Sequence, residues 1–472
     1  MAVFTFDELR EASGGRLFPE GVSGSVLSVS TDTRRKMDGA LFVALSGEKF
    51  DAHSFLADAV EMGAGLLCIE EEKKELAPAG IPLLLVKDTL KAYQNIANYH
   101  RKRFPQLTLV ALTGSYGKTS TKEALRAIFS AHYGKESVLA TEGNTNNQVG
   151  VPRNLLALEP RHKAAVIEMG TNHFGEIAPL AECAAGTGAM IVSIGSCHLE
   201  FFLDHAGVAR EKSNIFTTLP PRGGKIVIPE EVPEKEILLA AAEKTAASIY
   251  TFGESEKADM GVKYLGGNLE GSSFELYDRT GEKEEKAVVR WTLSGKHQAC
   301  NAAGAAAMAR HFGIPLKTIA EGLTNTVLPG MRMRQTRHGG ALWLNDAYNA
   351  NPDSMRSGLL WLADFADPAR TVLVLGDMGE LGDNALREHM KCLAFARLLF
   401  PSTVICCIGR RMMEALSLLY PGTPDPAAGG FSEPEKEALA FIEKHAGEGS
   451  IVYLKGSRST ALEKLEEALE DA

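Results

Sequence analysis

Hydrophobic and polar positions change rhythm three times along the 472-residue chain. Up to about residue 88 the apolar runs are short (SVLSVSTDT, GALFVALSG, AGLLCIE, IPLLLVKD). One helix-like stretch, DAHSFLADAVEMG, interrupts them, so a small α/β unit is predicted. Between Thr89 and Phe104 apolar residues fall at 90, 93, 96, 97 and 99, the spacing of a connecting helix that Pro105 ends. From Leu107 the pattern becomes strand, glycine loop, helix: LTLVAL, TGSYGKT, then KEALRAIFSAHY with Ala124, Leu125, Ile128 and Phe129 on one face. AAVIEMG, AMIVSIG, KIVIP and SIYTF are further runs apolar on both sides. Alternating with helices, such runs predict a parallel sheet covered on both faces.

Residues 258–293 then turn to alternating strand patterns, which predict an antiparallel appendage, and an alanine-rich helix follows over Ala299–Phe312. The last ~145 residues return to the α/β rhythm. ALWLNDAY, TVLVLGDM, TVICCIG and IVYLKGS read as strands, SMRSGLLWLADF and 385–399 as helices, and PGTPDPAAGG (421–430) as a surface loop. Three α/β units are expected, over 1–88, 89–327 and 328–472, in keeping with roughly 150 residues per domain.

Composition narrows the function. Hydrophobic residues are 45% and charged residues 23%, an ordinary globular balance. Fifty Lys+Arg against 60 Asp+Glu leave a formal charge of -10, which argues against a nucleic-acid partner because no basic face replaces counterions. No run reaches the ~18 to 20 apolar residues of a membrane span. Asp7, Glu8 and Glu11 sit where a signal peptide would be basic and then apolar, so a cytoplasmic chain with no membrane partner is expected. The seven cysteines are odd in number and scattered, and Cys406-Cys407 in TVICCIG reads as buried reduced thiols.

The strongest chemistry is in Thr113–Ser120. Glycines between a buried strand and a helix let backbone N–H groups approach phosphate oxygens, and the helix N-terminus adds partial positive charge. Lys118 is placed to bridge β- and γ-phosphates and Thr119 to ligate Mg²⁺. The longer G-x-x-x-x-G-K-[ST] form is absent because position 112 is Leu, so the shorter T-G-x-x-G-K-T carries the reading. Glu168 ends AAVIEMG and His198 follows AMIVSIGSC. The C-terminal ends of parallel strands line the ligand crevice, so both residues are expected to face the phosphates.

In order along the chain, STDTRR (30–35), TGSYGKTS (113–120), GNTNN (143–147), EMGTNHFGEI (168–177), CHLEFF (197–202), KHQACNA (296–302), PGMRM (329–333), LNDAYNANPDSM (344–355), VLVLGDMGELG (372–382) and KGSRS (455–459) resemble the Mur ligase family. The resemblance spans essentially the whole chain. It implies three domains: an N-terminal UDP-substrate domain, a central P-loop domain, and a C-terminal Rossmann-like α/β domain that closes on ATP and binds the incoming amine. VLVLGDMGELG points to the member activity that joins D-Ala-D-Ala to UDP-N-acetylmuramoyl-tripeptide through an acyl phosphate. The alternatives are a ligase adding a diamino acid to the UDP-dipeptide and, from another class, a non-catalytic nucleotide-binding scaffold.

The same resemblance implies roles for individual residues. Gly114, Ser115, Tyr116, Gly117, Lys118, Thr119 and Ser120 cradle ATP, Asn301 contacts adenine, and Arg332 and Asp346 reach the nucleotide. Tyr348 and Asn349 support that last loop. Thr119 and Glu168 hold one Mg²⁺ and His198 a second, with Lys212 carbamylated into a carboxylate-like ligand. Lys118, His198 and Lys212 form the catalytic set. Thr31, Asp32 and Arg34 are expected around the UDP group, Asn144, Asn146, Asn147 and Asn172 on the substrate, and Lys455 and Arg458 on the dipeptide carboxylate. Two positions depart from the family form: Asn214 stands where an acid commonly follows the lysine, and Thr171 where Ala is usual. A monomer is expected.

Overall fold

The computed structural model describes residues 3–47, 50–220, 223–329, 333–421 and 427–470. Three sheets carry the fold: five strands between residues 16 and 86, nine between 108 and 291, and six between 334 and 455. Among the described residues no helix is long and apolar enough to cross a membrane.

In the central sheet, β1 (Thr108–Thr113) lies between β2 (Ala164–Glu168) and β3 (Gly188–Ile191), parallel to both. Side chains alternate across a strand, so each run feeds two cores. Leu109 and Ala111 of β1 enter the core on one face, and Val110 and Leu112 the core on the other. In β2, Ala165 and Ile167 face one way, Ala164 and Val166 the other. This double burial makes the strands read as continuously apolar. The alternating residues expected to form an appendage are Met260–Asn268, Gly271–Asp278 and Glu285–Trp291. They are antiparallel to one another, yet they extend the same sheet through parallel pairing of Phe252 with Met260.

Helix α1 (Lys118–Tyr133) follows the glycine loop and buries Leu125, Ile128 and Phe129 against α3 (Lys296–His311); α2, between them in sequence, is His205–Ser213. The sheet of the third unit is parallel except for the hairpin pairing Arg334–His338 with Ala341–Asn345. Here too alternation splits the strands, with Leu373 and Leu375 in one core and Val372 and Val374 in the other. One expectation fails at its end: Ala428–Phe431, read as part of a surface loop, is an edge strand paired with Ile405–Ile408. The small residues Ala428, Gly429 and Gly430 fit there because Phe441 and Met413 pack against that edge. All seven cysteines are free, and Cys406 and Cys407 are fully buried.

Candidate active site

The glycine loop turns from β1 into α1 through Gly117, whose φ of +77° is the left-handed conformation that glycine adopts freely. A Cβ at Gly117 would also collide with the Asn301 side chain, which α3 lays against the loop. The loop is further fixed from the segment after β3: Ser115 N–H donates to Ser193 O at 3.0 Å, Tyr116 N–H to Ser193 Oγ at 2.9 Å, and Gly195 N–H to Ser115 Oγ at 2.9 Å. Lys118 folds back onto its own loop, Nζ donating to Gly114 O at 2.7 Å. The first residues of α1 open a cavity of about 430 Å³.

Sequence-predicted residues converge on that cavity. Ser115, Tyr116, Gly117, Lys118, Thr119, Ser120, Asn144, Asn146, Asn147, Glu168, Asn172, His198, Asn301, Asp346 and Lys455 line it, as do Tyr348 and Asn349. Glu168, buried at the end of β2, accepts Thr119 Oγ1–H at 3.1 Å on one oxygen and Asn146 Nδ2–H at 2.9 Å on the other. Asp346 pairs with Lys455 Nζ at 2.5 Å and accepts Tyr453 O–H at 3.3 Å. The ammonium expected for the dipeptide carboxylate is therefore engaged by the aspartate of the same wall.

Other expected residues lie elsewhere. Gly114 is behind the loop, packed near Ser193 and Val192. Lys212 is off the wall, on α2, 1% exposed and without an ion-pair partner among the described residues. Burial pushes its ammonium down to about 8, and the nearby Lys118 charge acts in the same sense. Glu211 accepts the N–H groups of Gly175, Glu176 and Ile177, and Asn214 Nδ2 reaches the same carboxylate at 3.4 Å, so the departure at 214 supports that cap. Arg458 pairs with Glu463 at 2.6 Å outside the cavity. In the N-terminal unit Arg34 is 87% exposed and grips Asp32 with two guanidinium nitrogens at 2.8 and 2.9 Å. Thr31 adjoins that turn, and the cavity does not reach it. Arg332 falls outside the described residues.

Sequence reasoning missed the groups that bring the third unit onto the loop. In LNDAYNANPDSM, Asn351 caps α4 (Pro352–Ala363) and extends Nδ2 to Ser115 O at 3.4 Å, while Asp353 accepts Ser196 N–H at 2.7 Å. Glu380 of the VLVLGDMGELG segment sets its carboxylate against His198 Nδ1, and the imidazole holds that carboxyl below its usual range. His297, in the first turn of α3, lines both this cavity and a neighbouring one of about 490 Å³. Burial takes it down to about 4, so it is neutral. The second cavity is walled by Tyr116, Val192, Phe252, Tyr264 and Trp361. Its signal was legible: KHQACNA places His297 and Asn301 one helical turn apart.

The residues suit Mg²⁺. No cluster of three His, Cys, Asp or Glu side chains able to hold a metal occurs among the described residues. An all-protein cage is thus absent there. A hydroxyl, one carboxylate and one imidazole around an anion cradle match an ion that takes few protein ligands and completes its shell with phosphate and water.

Fold and cavity together define an α/β phosphate-loop protein with a third unit closing over the loop. The chain belongs to the Mur ligase family: the Mur ligase middle domain matches residues 112–309, and the Mur ligase, glutamate ligase domain matches 331–458. It is 34% identical to the UDP-N-acetylmuramoyl-tripeptide--D-alanyl-D-alanine ligase of Escherichia coli (strain K12), over 100% of this chain and 99% of that protein. Its identity to the ligase of the same name from Bacillus subtilis (strain 168) is 30%, over 93% and 92% of the two chains. Among solved structures, MurF from Acinetobacter baumannii superposes with a TM-score of 0.88 at 31% identity, covering 100% of both chains. The Thermotoga maritima MurF–ADP complex shares the fold at a TM-score of 0.80 and 23% identity, over 94% and 97%.

Proposed function

We propose that the chain is an ATP-dependent ligase that joins D-Ala-D-Ala to UDP-N-acetylmuramoyl-tripeptide. The observation that carries this is a single cavity bounded by the Lys118 loop, the Thr119–Glu168 pair and His198 on one side and Asp346 on the other. Full-length relatives of that name support the choice of substrates over the diamino-acid alternative.

Phosphates of ATP lie on the N–H groups of Gly117–Ser120, since those of Ser115 and Tyr116 are held by Ser193, and Lys118 exchanges Gly114 O for a phosphate oxygen. The base enters the second, aromatic cavity, with Asn301 on the boundary between the two. The peptide's terminal carboxylate oxygen attacks the γ-phosphorus, the bond to ADP breaks, and an acyl phosphate forms. Lys118 offsets the charge on the transferring group. The dipeptide amine then adds to the acyl carbon, and the tetrahedral adduct expels phosphate, which carries off the amine's surplus proton, and leaves an amide. Thr119, Glu168, His198 and a carbamylated Lys212 would hold Mg²⁺, which supplies charge neutralisation at the phosphoryl oxygens. Lys212 suits that modification: a buried lysine held down to about 8 offers free amine to CO₂, with loss of one proton.

In this reading residues 1–88 bind the UDP end through Thr31, Asp32 and Arg34, 89–327 the ATP, and 328–472 the dipeptide. Asn144, Asn146, Asn147 and Asn172 face the peptide between them. Arg34 then trades Asp32 for pyrophosphate, a bidentate acceptor it fits equally well. The enzyme acts in the cytoplasm, in peptidoglycan synthesis, as a monomer.

Phosphate release is the test. Turnover is expected when ATP, the UDP-tripeptide and D-Ala-D-Ala are all present, and Lys118→Ala lowers it by about 10³-fold. Turnover with a single diamino acid and the UDP-dipeptide in their place would select the alternative ligase. No turnover with either set would leave a nucleotide-binding scaffold.

A further inference from the structure

Glu380 belongs to the third unit, yet its carboxylate ends at a side chain of the central one. The segment that carries it is held firmly. Asp377 accepts the N–H groups of Arg411 at 3.2 Å and Met412 at 2.7 Å. The fully buried His389 ring accepts Met378 N–H at Nε2 (2.8 Å), while its Nδ1 lies 2.6 Å from Ala385 O. Glu380 itself has φ +60° and His198 φ +50°. Left-handed backbone at a residue other than glycine persists only where surroundings impose it. A second contact joins the same two segments, Glu200 N–H donating to Glu380 O at 3.3 Å.

The other carboxylates around the cavity are committed. Glu168 holds Thr119 and Asn146, Glu176 holds the Thr171–His173 turn, and Asp346 holds Lys455. Glu380 is the carboxylate that meets the imidazole. A histidine that lends one ring nitrogen to a metal generally gives its other N–H to a carboxylate, which fixes tautomer and ring orientation.

We propose that Glu380 is the positioning residue for His198. Its carboxylate stands against Nδ1 as an ion-pair contact, takes the Nδ1–H when the ring aligns with it, and leaves Nε2 as the nitrogen able to ligate. The third unit delivers this carboxylate, so docking of that unit and readiness of the imidazole are one event. This rests on the reading of His198 as a Mg²⁺ ligand given above.

The test uses the full chain with a non-hydrolysable ATP analogue and UDP-tripeptide. Mn²⁺ serves as the probe, with bound ion counted by electron paramagnetic resonance. In Glu380→Gln, one Mn²⁺ equivalent is expected to weaken by about 10- to 100-fold while the other is unchanged. Turnover falls in kcat with the KM for ATP within about twofold, and Glu380→Asp recovers part of both losses. Asp353→Ala loosens docking but keeps the carboxylate, so its effect falls on both equivalents alike. Thermal unfolding of each variant verifies that it is folded. The proposal is overturned if Glu380→Gln binds both equivalents as tightly as the parent. It is also overturned if Glu380→Gln and Asp353→Ala give the same pattern, since Glu380 is then a docking contact only. A parent enzyme that turns over both substrates yet binds a single equivalent removes the metal reading itself, independently of any variant.

Discussion

On its N-terminal side the central unit is welded to its neighbour. The helix Thr89–Lys102 buries Tyr93, Ile96 and Ala97 in one continuous core that runs from Phe4, Phe6 and Leu9 to Leu109, Ile167 and Leu180. On its C-terminal side, among the described residues, the cores of the third unit stay almost wholly within that unit, with Leu269 of the central hairpin at their edge. Contact there is made by Asn351, Asp353, Glu380 and Gln335, each a polar group reaching a backbone or ring atom, around two cavities. Apolar burial contributes stability over a whole area, whereas each polar contact is worth about 0.5–1.5 kcal/mol and is exchangeable with water. One boundary is therefore structural, and the other is the weaker of the two and the one expected to give way first.

The largest effect expected from breaking the first boundary is on stability. Ile96→Ala removes a fully buried side chain from the shared core and costs about 2–5 kcal/mol in denaturant unfolding, with kcat per folded molecule unchanged. A comparable loss of kcat would mean the weld transmits to the site, and the contrast would fail. The second boundary is tested by a wedge. A Cβ at Gly195 would run into the Asp353 carboxylate and the Tyr116 ring. Gly195→Ala should push the third unit off the loop, lowering turnover by about tenfold or more and raising the radius of gyration in small-angle scattering, with the unfolding midpoint nearly constant.

The two boundaries were unequally legible in the sequence. Parallel strands buried on both faces announce themselves as unbroken apolar runs, and the glycine loop has residue types that few other structures need. The helix Phe6–Ser13 went unread because eight residues give too little periodicity, although Thr5 and Glu8 form a capping box that local chemistry does reveal. Asp353 and Glu380 lie inside motifs whose residue pattern gives them no role. A carboxylate's partner is decided by which domain surface it meets, and that contact lies 157 residues away for Asp353 with Ser196. The Lys455–Asp346 pair is equally hidden, since nothing local shows that these two side chains meet.

Smaller effects separate the boundaries further. Asp353→Ala removes the acceptor of Ser196 N–H, and one interdomain hydrogen bond predicts about a tenfold rise in the KM for ATP and a shift in stability of about 1 kcal/mol or less. A loss of several kcal/mol would instead make this contact part of the structural core.

The smallest expected effect is acid sensitivity of the weld. His100 is buried between Phe4 and Phe104 with Nε2 3.0 Å from Leu158 O, and burial holds it below its ordinary value of 6.5. In the unfolded chain it takes up a proton near 6.5, whereas in the fold it resists until lower pH. Over that window the unfolded state binds more protons, so stability is complete above about 6.5 and declines as pH falls through the folded value. His100→Phe cannot titrate, and its unfolding free energy should be flatter between pH 7 and 5 than that of the parent. At the polar boundary His297 is likewise held down by burial, to about 4, which lies below that range. The radius of gyration of the parent should therefore stay constant over the range in which its unfolding free energy drops; a chain that opened at the third unit first would reverse the assignment of the two boundaries.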